Sequence, residues 1–163
     1  MRNKIDLIDP TLLIEEAEDQ RYINSPFRHL KNLHAKQKGK RYEAITEQVL
    51  KKMGKSVGKP QNTDHDRIVD GKKVEIKGSS LNKNSDNFSF LQIRPNQDYE
   101  VMYFSMFYPN EFVIMSMDKE TILKNIKNGV FKKQHGGNKA DSGTFLYYGN
   151  KETLISIGAV DVI

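Results

Sequence analysis

Asp66, then Glu75 nine positions on, then Lys77 two beyond, is the set of residue types and spacing in this chain that can do chemistry. They lie in DHDRIVDGKKVEIKGSS, residues 64–80, where three aspartates, one glutamate and four lysine or arginine residues surround two short apolar runs. Asp70-Gly71 is the dipeptide preferred in a two-residue type I′ turn, so Val69 and Lys72 should flank it. Opposed residue numbers then sum to 141, which sets Asp66 against Glu75 and Asp64 against Lys77. Side chains alternate along a strand, so these four share one face while Val69, Val74 and Ile76 share the other.

Directly opposed carboxylates have Cβ atoms about 4.5–5.5 Å apart and weaken a sheet unless something compensates. Mg²⁺ suits the position: it binds through one or two carboxylates, keeps several waters and leaves room for a phosphate oxygen. Lys77 would stand beside a metal-bound water, where its cation can orient a nucleophile or steady charge growing on phosphate. The acidic spacing also imitates a calcium loop, but Ile68 and Val69 stand where that loop needs a ligand and its glycine. The plain alternative is a solvated charged hairpin face.

These residues need elements to hold them. Asp9, Pro10 and the Ser25-Pro26 break predict a helix from about Pro10 to Ile23. Tyr42, Ile45, Val49, Leu50 and Met53 recur at helical spacing and predict a helix from about Gly39 to Met53, closed by Gly54, with Glu43 and Glu47 on one side. Phe88–Ile93 is apolar but ambiguous between strand and short helix. Tyr99–Phe107 and Glu111–Met117 read as strands across Pro109-Asn110, apolar enough for burial on both faces. Asp118 should cap a helix reaching Asn128, with Ile122, Leu123 and Ile126 inward and Gly129 as terminator. Thr144–Tyr148 and Thr153–Ile157 read as a last hairpin across Gly149-Asn150. The resulting class is α/β or α+β, a central mixed sheet flanked by helices, with residues 1–27 as a helical arm and 28–163 as the domain.

The chain of 163 residues has no cysteine, which excludes disulfides and thiolate metal sites. Its longest strongly apolar run, Val101–Tyr108, is far too short to span a bilayer. A soluble, cytoplasmic protein with no membrane partner and no small organic cofactor is the expectation. The net charge is +5, and residues 28–59 carry it, with ten basic and two acidic side chains. A polyanion-binding surface requires such a concentration. Lys38, Lys40 and Arg41 are its candidate contacts. His29 and His34 match no common zinc spacing and read as surface residues of the same segment. The aromatic run Tyr103-Phe104, Phe107-Tyr108 reads as core.

Asp66 followed by Glu75-Ile76-Lys77 resembles the D…(D/E)xK signature of the PD-(D/E)XK nuclease superfamily, with His65 where its name has proline. KGKRYEAITEQVLKKMG resembles the first helix of that superfamily, notably in archaeal Holliday-junction resolvases, where a glycine precedes a metal-supporting glutamate by four residues; that position is Glu43. The resemblance spans about Lys38 to Ser80. It implies a restriction-endonuclease-like fold, catalytic Asp66, Glu75, Lys77 and Glu43, and a Mg²⁺ (or Mn²⁺) ion held by Asp66, Glu75 and Ile76. Beyond Ser80 the length and the string FLQIRPNQDYEVMYFSMFYPNEFVIMSM with its QHGG loop look like small type II restriction endonucleases. That implies a homodimer, bacterial or phage-encoded, cutting both strands of DNA at a short sequence.

Ser79 follows the lysine as a further DNA contact, and Gln92 is either the glutamine that some members use near the phosphate or a surface residue at a strand edge. Gln134, His135, Asn138 and Lys139, in the glycine-containing loop 132–143, can read base edges or hold phosphates, or belong to a plain linker. A structure-specific resolvase or repair nuclease and an inactive DNA-binding module are the competing functions.

Overall fold

A computed structural model describes residues 18–134 and 143–163 of the chain. Among them the elements are α1 (Arg28–Lys31), α2 (Ala35–Lys52), β1 (Val57–Gly58), β2 (Arg67–Val69), β3 (Lys72–Ser80), β4 (Phe88–Ile93), β5 (Val101–Phe107), β6 (Phe112–Asp118), α3 (Lys119–Lys127), β7 (Lys132–Lys133), β8 (Phe145–Gly149), α4 (Lys151–Ser156) and β9 (Val160–Asp161). A six-stranded mixed sheet runs β1-β2-β3-β5-β6-β9, and a three-stranded sheet runs β4-β8-β7. The sheet is mixed because β3 and β5 are parallel, Val74 facing Val101 and Ser80 facing Phe107, while the other pairs are antiparallel.

Asp70 and Gly71 both have positive φ, 49° and 83°, as a type I′ turn demands. Val69 pairs with Lys72, Ile68 with Lys73 and Arg67 with Val74, the register read from the turn. Strand β5 alternates between two cores, as its continuous apolarity foretold. Met102, Phe104 and Met106 join Phe88, Phe90 and Ile93 of β4 on one side. On the other, Val101 and Tyr103 pack with Leu50 of α2 and with Val69, Val74 and Ile76. Helix α2 therefore covers one face of the main sheet and the small sheet lies on the other.

Several expectations need correction. Helix α2 begins four residues before Gly39, and its buried residues are Tyr42, Thr46 and Leu50, while Met53 is exposed. Thr46 is tolerated inside because its hydroxyl bonds the Tyr42 carbonyl at 2.7 Å and Ser105 Oγ at 2.8 Å. In α3, capped by Asp118 as expected, Asn125 is buried and Leu123 is exposed. The last hairpin does not form. After β8, Asn150 accepts from the Thr153 amide while Thr153 Oγ1 accepts from the Asn150 amide, and this reciprocal cap starts α4 where a strand was expected. The expected helix at Pro10–Ile23 lies mostly outside the described residues; its described end is a 3₁₀ turn, Gln20–Tyr22. Tyr22 there is buried, and its hydroxyl donates to the Phe107 carbonyl at 2.5 Å and accepts from the Leu81 amide at 3.0 Å.

Strand β3 meets α2 at Gly78, where an added Cβ would stand 2.3 Å from the Cβ of Tyr42. Only glycine lets the helix lie so close. Gly78→Ala should lower unfolding free energy by at least about 2 kcal/mol, within the usual range for overpacking. An unchanged urea midpoint would refute this contact.

Candidate active site

Strand β2 leaves the ladder at Asp66. Its amide donates to the Val74 carbonyl at 2.9 Å, although Val74 is already the partner of Arg67, so the register slips by one. Asp66 Oδ2 instead accepts the Ile76 N–H at 2.7 Å. In a strand the N–H and C=O of one residue point to the same side, so the Ile76 carbonyl faces this fork as well. Just upstream, buried His65 holds the approach: Nε2 accepts from the Gln61 amide at 3.1 Å and Nδ1 faces the Asp98 carbonyl at 3.0 Å. Asp64 Oδ2 accepts from the Asp98 amide at 3.3 Å. The expected pairings of Asp66 with Glu75 and of Asp64 with Lys77 are therefore not made: the slip at Asp66 ends the ladder at Arg67–Val74, three residues early, and Asp64 is anchored to the 97–98 turn instead.

Glu75 is 7% exposed, and Lys77 Nζ sits 2.8 Å from its Oε1. Burial pushes the Glu75 carboxyl up to about 7; Lys77 opposes the rise, and the neighbouring Asp66 carboxylate adds to it. Glu43, from α2, is half-buried, and its pKa is raised by burial and then by Asp66. So Asp66, Glu75, Lys77 and Glu43 meet at one fork.

Arg67 is a participant the hairpin pattern did not single out. Its Nε donates to Glu47 at 2.6 Å and Nη1 to the Asp66 carbonyl at 2.6 Å, with Glu43 3.9 Å away. It ties α2 to the end of β2.

Among the described residues no three His, Asp or Glu side chains form a ready-made metal cage. Mg²⁺ does not need one. Two crowded carboxylates, one with its ionised form disfavoured by burial, beside a main-chain carbonyl that has lost its strand partner, form an all-oxygen donor set that fits a hard divalent cation. Tyr99 adds an orphaned group: its buried hydroxyl has no hydrogen-bond partner among the described residues, and Glu75 adds to the burial that raises its pKa.

The fork opens into a groove of about 920 Å³ whose wall includes Lys31, Lys36, Lys38, Lys40 and Lys83 with Glu43 and Lys77. Ile76, Ser79 and Gln92 line it too. Arg41 is exposed but does not line it. Ser79 uses its hydroxyl to join strands, donating to the Ser80 carbonyl at 2.9 Å and accepting the Ser89 amide at 3.2 Å. Gln134 reaches Gln92: its Oε1 accepts the Gln92 amide at 2.6 Å. His135, Asn138 and Lys139 lie outside the described residues. Lys31 and Lys83 were missed because they are far apart in sequence; the lysine excess of the basic segment pointed only to the first.

Because Glu75 titrates well above its ordinary 4.5, its protonated form favours the fold. Its contribution is complete below about 4.5 and is lost as pH rises from there through about 7. In metal-free buffer Glu75→Gln should flatten this fall in denaturant-measured stability. A wild-type slope in the variant would show that another group titrates there.

No protein-family model and no curated protein matches this chain. Among solved structures it is similar to a bacterial homing endonuclease, with 16% identity, 72% of this chain and 76% of that chain covered, and a TM-score of 0.46.

Proposed function

We propose that this protein is a Mg²⁺-dependent DNA endonuclease of the PD-(D/E)XK type, acting as a homodimer on double-stranded DNA in the manner of a type II restriction enzyme. The observation that carries the reading is the meeting of Asp66, Glu75, Lys77 and Glu43 at a strand fork that opens into a lysine-lined groove. Asp66, Glu75 and the Ile76 carbonyl are the groups that would hold the cation, with Mn²⁺ an acceptable substitute. When bound, the cation supplies a more acidic water and draws charge from a phosphate oxygen.

The chain's own residues do the rest. Lys77, held by Glu75, orients the attacking water and offsets charge developing on the phosphate. Attack of the water oxygen on phosphorus breaks the P–O bond on the far side; the water's proton passes to solvent, and the departing oxygen takes up a proton from solvent. Glu43, on α2, lines the groove with Lys77. The groove lysines hold the flanking phosphates. One such site cuts one phosphodiester, so cutting both strands calls for two copies about a two-fold axis, and such a pair reads a palindrome.

Asp66→Asn keeps an acceptor for the Ile76 amide, so it should fold normally, yet its cleavage of phage-length DNA should fall by more than about a hundredfold. Binding in Ca²⁺ should persist. Full cleavage by this variant would remove Asp66 from the chemistry. Discrete fragments from linear duplex support sequence-specific cutting; an intact duplex with a cut four-way junction would replace that reading with a resolvase.

Neutralising Lys36, Lys38 and Lys40 together should lower the log–log salt slope of duplex binding by about 0.9 for each phosphate they had neutralised. An unchanged slope would place the DNA elsewhere.

A further inference from the structure

Strand β4 breaks its own alternation where it borders the groove. Phe88, Ser89 and Phe90 pair with Gly149, Tyr148 and Tyr147 of β8, but Ile93 pairs with Phe145. Two residues, Leu91 and Gln92, therefore stand opposite Leu146 alone, which is a bulge. Adjacent residues of a regular strand point to opposite faces. Here both line the groove, and both are exposed, Leu91 by 49%.

Gln92 achieves this with φ of +55°, a left-handed conformation unfavourable for a residue with a Cβ. The conformation is held from outside. Gln134 Oε1 accepts the Gln92 amide, and the Gln134 amide is itself fixed to the Thr144 carbonyl at 3.1 Å. A strained residue kept at the rim of a binding groove, with a second side chain engaged in keeping it there, is a site under functional constraint.

We infer that the β4 bulge reads one A·T base pair in the major groove, Gln92 bonding the adenine edge and Leu91 packing on the thymine methyl. This rests on the DNA reading proposed above and adds which residues choose the sequence. The chemistry selects the base pair. Glutamine can donate to adenine N7 while accepting from N6–H₂, and a leucine beside it matches the methyl that A·T carries across the same groove. Guanine presents two acceptors there, and a G·C pair has no methyl. An exposed leucine by itself is ordinary. Placed by a bulge next to a glutamine on a lysine-lined wall, it has a partner of defined shape. Gln134, expected to touch bases itself, becomes a positioning residue.

The test is selection of bound sites from a randomised duplex pool in Ca²⁺, with wild type, Gln92→Ala, Gln92→Gly and Leu91→Ala. Gln92→Gly suits the left-handed backbone and keeps the bulge folded if alanine does not. Wild type should enrich a fixed A·T position, and both Gln92 variants should lose preference there by about tenfold or more, a larger loss than any in their affinity for random duplex. Uracil in place of that thymine should weaken wild type and leave Leu91→Ala unaffected. An unaltered site preference in the Gln92 variants, or a wild-type site with no fixed A·T pair, overturns the inference while the nuclease reading stands. Failure of wild type to bind duplex DNA at all overturns both.

Discussion

Helix α2 meets β3 at Gly78, where the Tyr42 side chain rests on the bare backbone and an added Cβ would fall 2.3 Å from the Cβ of Tyr42. This contact sets the depth at which Glu43, one residue after Tyr42, meets Lys77, one residue before Gly78. It is reinforced around its edge: Tyr42 Oη bonds Ser80 Oγ at 3.0 Å, and Tyr42 packs on Phe107 with ring centroids 4.6 Å apart. Arg67 closes the other side by bonding Glu47 of the same helix and the Asp66 carbonyl. A larger residue at 78 would separate the helix-borne carboxylate from the strand-borne pair without touching any of them.

Two irregularities in otherwise regular strands then produce the surface. The slip at Asp66 turns its carboxylate into the acceptor that the ladder lacks at Ile76, so it faces Glu75 in the fork instead of continuing a flat pair. The bulge at Leu91–Gln92 turns two neighbours to one side. Each departure leaves polar main chain that must be satisfied, and each is satisfied by a side chain: Asp66 takes the Ile76 amide, Gln134 takes the Gln92 amide. At both places a side chain therefore substitutes for a missing strand.

How far the sequence revealed this follows from which interactions are local. The type I′ turn and its register were legible because Asp70-Gly71 determines them over a few residues, and from them came the proximity of Asp66 and Glu75. Glu43 was legible only through the family resemblance. The slip at Asp66 was not, since it depends on His65 and Asp64 being anchored to the 97–98 turn, more than thirty residues away. The missed helix α4 has a different cause. Gly149-Asn150 reads equally as a hairpin turn and as a cap; Thr153, which completes the reciprocal cap with Asn150, decided for the helix. Asn125 is buried against expectation because its amide donates to the Ile157 carbonyl at 2.9 Å, a partner no helical periodicity can reveal.

The lysines divide into those paired with carboxylates and those gathered along the groove. Lys51 pairs with Glu47, Lys55 with Asp70 and Lys73 with Asp98, all at separations of 3.2 Å or less and all away from the groove. Such exposed pairs contribute little, because solvent screens them. Lys31, at one end of the groove, is tied down by the Leu81 carbonyl at 2.6 Å and stands 3.6 Å from Asp19. Lys36, Lys38, Lys40 and Lys83 have no carboxylate partner among the described residues, and all four line the groove. Like charges gathered on one wall repel and gain nothing from the fold. On the function proposed above, a phosphate backbone would supply the missing charge at regular spacing, and the counterions it released would supply free energy. Lys77 differs from those four: its ammonium is held at the fork by a buried carboxylate, 2.8 Å from Glu75.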